Sequence, residues 1–254
     1  MFKHVSLIGF ALLSSALLSG CLDGPAGPAG PALSGTLSGM VTLVSSDGTQ
    51  HPGAGVAVSI DGTSKATVTD SIGQWSFANL STGTYTIAYK ATGYGESKSN
   101  DVGFVGGGSR DIGVSYLCQP PSFSLTSVST FFPIKNGDSA SVYLAFAASD
   151  STVTGPYKTV LFFGKDSSVS WAPATYSTVS VQTGAVLHAG LDSIRLQPMA
   201  LATAGFSSGD TAYVRAYIAS AGTDNSGYTD IATEHFVYTD INPKGTNALA
   251  VIVP

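Results

Sequence analysis

From residue 33 onward the apolar residues come in short runs that alternate with polar ones, cut at about ten-residue intervals by glycine or Asp-Gly pairs. Alternation with period two puts successive side chains on opposite faces of a strand, and no helix can bury such a pattern on one side. Residues 83–89 show it most plainly, with Tyr85, Ile87 and Tyr89 on one face and Thr84, Thr86 and Ala88 on the other. The pattern predicts strands over 40–44, 56–60, 66–70, 75–77, 83–89 and 112–116. A second set follows over 141–146, 159–163, 178–181, 193–196, 211–218 and 235–238. Between the sets lies Cys118-Gln119-Pro120-Pro121, and consecutive prolines cannot donate to a sheet ladder. The expected fold is all-β: two β-sandwich domains over 34–118 and 122–254.

Composition supports strands and narrows the partners. Charged residues make up 11% of the chain, against about 25% in an average soluble protein. Glycine is abundant at 30 residues, and polarity comes from hydroxyls more than from charges, which suits exposed sheet faces and turns. The formal net charge of −5 and the absence of any basic run exclude a nucleic-acid partner, whose phosphates would be repelled.

The first residues follow a different logic. Met1-Phe2-Lys3-His4 is a short positive start, and residues 5–18 are an apolar run broken only by Ser and Gly. That run is too short to span a bilayer, which takes about 20 residues, and has the form of a signal-peptide core. It ends in Leu18-Ser19-Gly20-Cys21, which resembles the bacterial lipobox. The resemblance implies a signal peptide over 1–20, cleavage before Cys21, and lipidation of Cys21, palmitate included, so that acyl chains hold the mature protein to a membrane. Leu22, where Asp would favour retention at the inner membrane, points to the outer membrane of the cell envelope. Residues 21–33 hold the anchor cysteine and a linker in which 24–32 are three Gly-Pro-Ala triplets, a spacer in polyproline II form about 28 Å long at about 3.1 Å per residue.

Several pieces of the first sandwich keep a characteristic order: Gly39-Met40-Val41, Pro52-Gly53-Ala54-Gly55-Val56-Ala57-Val58, Thr69-Asp70, Gly73-Gln74-Trp75-Ser76-Phe77, Asn79-Leu80, Gly83-Thr84-Tyr85-Thr86 and Gly93-Tyr94. Together they resemble the carboxypeptidase regulatory-like domain, a transthyretin-like β-sandwich. The resemblance implies a non-catalytic module that contributes stability, spacing or an interaction surface. Asp70 is expected to cap the turn at Gly73, and Trp75 and Phe77 to enter the core. Residues 209–217 resemble the penultimate strand of a fibronectin type III or Ig-like domain, which implies that form for the second sandwich.

Catalytic chemistry finds little support. The histidines are His4, His51, His188 and His235, and none pairs with a carboxylate in zinc-ligand spacing. Gly35-Thr36-Leu37-Ser38-Gly39 is not a nucleophile elbow, and Gly106-Gly107-Gly108 lacks the Lys-Ser/Thr of a phosphate loop. No enzyme activity and no cofactor are expected. Asp224, Asn225 and Asp230 offer spaced oxygen ligands for calcium, but the loop lacks the regular alternation and closing Glu of a calcium loop, and an Asn/Gly turn between strands is the preferred reading. Trp171, Tyr176, Tyr217 and Tyr228 are either core residues or a stacking platform for sugars. A dispersed hydrolase would need Asp192, His188 and His235 in one cleft. With Cys21 lipidated, Cys118 is either buried or paired between chains. The expected task is that of a lipid-anchored, non-catalytic binding or structural module. Its partners are the membrane through Cys21 and either a glycan of a polysaccharide-uptake system or an envelope protein.

Overall fold

The computed structural model describes residues 33–131, 143–153, 155–187, 191–195, 198–222 and 227–253. Cys21, the signal region and the Gly-Pro-Ala spacer lie outside them. The first eight strands are β1 (Ser34–Val44), β2 (Gln50–Pro52), β3 (Ala57–Ile60), β4 (Ala66–Val68), β5 (Gln74–Ser81), β6 (Gly83–Lys90), β7 (Ser97–Phe104) and β8 (Ser109–Cys118). One sheet is organised by β1, which pairs antiparallel with β2 and β5 and parallel with β8. The other runs β4-β3-β6-β7. Their inner faces meet in a core of Leu37, Val41, Val58, Ile60, Trp75, Phe77, Ile87 and Tyr89. Each fully buried aliphatic or aromatic side chain there contributes roughly 1.5–3 kcal/mol. Alternation along β5 seats Trp75 and Phe77 in that core and turns Gln74 and Ser76 outward.

The second sandwich contains β9 (Leu125–Phe131), β10 (Tyr143–Ala148), β11 (Gly155–Gly164), β12 (Thr178–Leu187), β13 (Leu191–Arg195), a short helix α1 (Pro198–Thr203), β14 (Thr211–Ala219), β15 (Tyr228–Thr229), β16 (Phe236–Val237) and β17 (Leu249–Ile252). Its sheets are β13-β10-β9 and β12-β11-β14-β17, with β15 and β16 forming a small hairpin. The larger sheet is covered on both faces. Leu161, Phe163, Val214 and Ile218 pack towards Leu125, Leu144 and Phe146. On the opposite face Val160, Phe162 and Tyr217 pack under Val169, Tyr176 and Ile241. This explains why 160–163 reads as an unbroken apolar run, as strands buried on both faces do.

Among the described residues the fold is all-β apart from α1 and a 3-10 turn at Pro173–Thr175, its sheets are open, and several elements depart from the expected ones. β1 begins at Ser34, earlier than the apolar run shows, because Ser34 and Gly35 pair with Ser81 and Leu80. β7 escapes the pattern because its middle is polar and Asp101 takes a positive φ of 53°. β9, β17 and α1 add elements that the apolar runs leave out.

The two sandwiches belong to one compact unit running from Leu33 to Pro254. Polar contacts join them. The Ser97 hydroxyl donates to Gly227 O at 3.1 Å, Asn100 Nδ2 to Thr229 O at 2.7 Å, and Asn242 Nδ2 to Pro121 O at 2.9 Å. Ala221 N donates to Ser46 O at 2.9 Å. Cys118 is 1% exposed at the end of β8. Beyond it, Gln119 N donates to Val44 O and prolongs the pairing of β8 with β1.

Candidate functional site

The outer face of the β8-β1-β5 sheet carries a groove of about 550 Å³. Register builds it. Ser38 of β1 lies between Asp111 of β8 and Ser76 of β5, and Met40 lies between Val114 and Gln74. These make two parallel rows across three strands, and Thr67, Val68 and Asp70 form a rim beside them. Between the rows β8 advances three residues while β1 advances two, a bulge of the kind that re-aims side chains at functional surfaces. Asp111 Oδ1 closes the bulge by accepting from Gly113 N at 2.7 Å.

Asp70 caps the turn before β5, its Oδ1 accepting from Ile72 N at 3.0 Å and Gln74 N at 2.8 Å. One oxygen of each carboxylate is therefore spent on backbone, and the other remains to accept from a ligand. Behind the rows lies Trp75, 4% exposed and tilted against Phe77 and Tyr89. Its indole Nε1 is buried without a hydrogen-bond acceptor. The groove thus offers hydroxyl, amide and carboxylate groups, two exposed valines, Val68 and Val114, and no cation among its lining residues. Sequence reading singled out Asp70 alone among these groups. The rest become legible only through the cross-strand register.

Asp224, Asn225 and His188 lie outside the described residues, as does the side chain of Asp192 on β13. Asp230 Oδ1 accepts from the Thr233 hydroxyl at 2.8 Å and from Thr233 N at 2.9 Å. Those donations, the hydroxyl's first, hold its carboxyl below the ordinary carboxylate range. Asp230 is therefore built into a turn. Among the described residues no group of three or more His, Cys, Asp and Glu is placed to hold a metal. The Gly106-Gly107-Gly108 turn joins β7 to β8 and is tied to β1 through Gly107 N to Ser34 O and Thr36 N to Gly108 O.

The aromatic residues of the second sandwich pack inward. Phe162 meets Tyr176, Tyr217 and Tyr238 edge to face at centroid distances of 5.0, 5.5 and 5.6 Å. His235 stacks on Tyr176 at 4.6 Å, and its Nδ1 lies at hydrogen-bond distance from Pro173 O. Trp171 is half-buried against this cluster, and Tyr228 lies 5.3 Å beneath the Lys98 ammonium. Trp171, Tyr176, Tyr217 and Tyr228 thus do not form the exposed row a sugar platform requires. His235 is committed to packing. No described helix is long and apolar enough to cross a membrane.

No curated protein matches the chain. Among solved structures it is similar to a cohesin–X-dockerin complex of Acetivibrio cellulolyticus at 22% identity, over 33% of this chain and 56% of that one, with a TM-score of 0.28. The chain thus spans little more than half the length of that relative. It is also similar to a protein of Bacteroides uniformis described as a candidate carbohydrate-binding protein, at 14% identity over 85% of this chain and 98% of that one (TM-score 0.29). A DUF3823 family protein of Bacteroides ovatus matches at 14% identity over 88% and 100% of the two chains, with a TM-score of 0.29. Residues 37–115, nearly the whole first sandwich, match the family model of the CarboxypepD_reg-like domain.

Proposed function

We propose that the chain is a non-catalytic binding protein of the cell envelope, tethered to the outer membrane by lipidated Cys21. Its ligand, a polyhydroxylated one such as a neutral glycan, lies across the groove of the first sandwich. The observation that carries this reading is the pair of cross-strand rows. With the rim beside them, six residues, Ser38, Thr67, Asp70, Gln74, Ser76 and Asp111, present hydrogen-bonding groups to one surface. The two carboxylates are anchored to backbone N–H groups as turn and bulge caps, an arrangement suited to accepting from sugar hydroxyls and not to moving protons. Support for the tether is the lipobox resemblance together with the Gly-Pro-Ala spacer.

Two measurements test the two halves separately. Metabolic labelling with a radioactive fatty acid should mark the wild-type protein and spare Cys21→Ala; label in neither removes the tether. Titration with a panel of neutral oligosaccharides should show binding that Gln74→Ala and Ser76→Ala weaken, since both side chains are outward-facing. Binding unaffected by either substitution would remove the groove from the reading.

A further inference from the structure

A second groove, on the other sandwich, stands apart from the first and does not depend on it. Along one edge of β14 the chain pairs Ile241 with Ala219, and Asn242 N donates to Ile218 O at 2.9 Å. The next contact is Thr246 N to Ala216 O at 2.9 Å. Four residues are thus spent against two on β14, and 243–245 arch away as a bulge. Thr246 Oγ1 pins the arch by accepting from Ala216 N at 3.1 Å. Gly245 lets the arch lie on Tyr217, because a Cβ there would stand 2.5 Å from the ring. Arch, β14 and the start of β9 border an open groove of about 540 Å³, lined by Ser124, Thr126, Arg215, Lys244, Thr246 and Asn247 among others.

Two cations converge in this groove, and no carboxylate is among its lining residues. The chain as a whole has 16 acidic side chains against 11 Lys and Arg. Arg215 projects from the same sheet face as Lys158, and the contrast between them is informative. Lys158 is buried beside Asp240, with Nζ 3.5 Å from the carboxylate. Arg215 has no ion pair with a described carboxylate, and its Nε is buried without a hydrogen-bond partner. The guanidinium therefore lines a groove in which no described carboxylate stands beside it, and its donors on the groove side are left for a ligand. The planar fork matches a carboxylate in bidentate fashion.

We propose that this groove binds an acidic sugar, the carboxylate of a uronate residue sitting on Arg215 with Lys244 beside it. The hydroxyl and amide groups of Ser124, Thr126 and Asn247 then face the hydroxyls of the same sugar. An acidic peptide would satisfy Arg215 but would present few hydroxyls to these groups. The volume falls in the range of ligand pockets, about 300–1,000 Å³.

The test is calorimetric titration of the full chain in detergent with trigalacturonate, its methyl ester and triglutamate. Trigalacturonate should bind, the ester at least about tenfold more weakly, and Arg215→Gln should lose about tenfold or more, the scale of a charge-assisted contact. Lys244→Gln, exposed and safe for folding, should lose a few-fold and reduce the salt dependence. Equal binding of acid and ester, no binding of either, or full affinity in both variants overturns the proposal. Triglutamate binding as tightly as trigalacturonate overturns the sugar assignment.

Discussion

The two grooves have nearly the same volume, about 550 and 540 Å³, yet they differ in sign and in construction. The first lies on the open face of a sheet, is lined by Asp70 and Asp111, and holds no cation in its lining. The second lies at the edge of a sheet covered on both sides, is lined by Arg215 and Lys244, and holds no carboxylate. What they share is a strand that gains residues over its neighbour: β8 between Asp111 and Val114, and 243–245 beside β14. In a regular sheet a side chain's direction is fixed by alternation, and a bulge is where that constraint relaxes. Both proposed binding grooves on this scaffold lie beside a register shift.

The sharpest test of the structural contrast is packing. Phe162 is fully buried at the centre of the aromatic cluster that covers the second sandwich's larger sheet. Phe162→Ala should cost about 3–5 kcal/mol in urea unfolding. Ser76→Ala, on the open face of the first sandwich, should stay within about 0.5 kcal/mol. Comparable losses would mean that the two faces are not differently covered.

The two cations of the second sandwich provide the next. Asp240→Ala removes the carboxylate beside the buried Lys158 ammonium and should cost about 3–5 kcal/mol. Arg215→Met removes a charge that has no described partner and should be neutral or stabilising in the absence of ligand. A loss at Arg215 matching that at Asp240 would show that Arg215 is already paired, and would weaken the second groove as an anion site. On the first sandwich, Asp111→Ala removes the acceptor that closes the β8 bulge and should cost about 1 kcal/mol, measured by thermal unfolding.

The fold class was legible because alternation leaves no choice: Tyr85, Ile87 and Tyr89 can share a core only from a strand. The Asp70 turn was legible too, since an Asp three residues before a Gly, ahead of an alternating strand, is a local signal that needs no tertiary information. The grooves were not. Ser38, Ser76 and Asp111 are far apart in sequence, and only the pairing of β1 with both β5 and β8 sets them in one row. Arg215 sat in plain view between two tyrosines, but its importance lies in a groove lining that holds no carboxylate among the described residues, which no linear reading can register. The aromatics misled in the other direction. A platform and a core use the same residues, and it is burial from the 235–248 side that makes Tyr176 and Tyr217 core.

The smallest effect concerns that covering layer. Tyr176 donates its hydroxyl to Phe236 O at 2.9 Å, and burial, then the neighbouring Tyr238, pushes its pKa up to about 12 from an ordinary 10.0. Because the folded value is the higher, this stabilisation is fully present below pH 10, where the hydroxyl is protonated in both states. Between pH 10 and about 12 the unfolded chain releases its proton while the folded one retains it, so stability falls across that window. Tyr89 and Tyr238, both raised first by burial, and Lys98, raised first by its hydrogen bond with Asp61, slope the same way. The difference between wild type and Tyr176→Phe isolates the one residue. At neutral pH the substitution should cost no more than about 1 kcal/mol for the lost hydrogen bond. That gap should shrink or reverse from pH 10 to 12 in parallel denaturant titrations. A gap constant across the window would show that the Tyr176 ring is open to solvent, and that the second sandwich's sheet is as exposed on this face as the first sandwich's is on its groove.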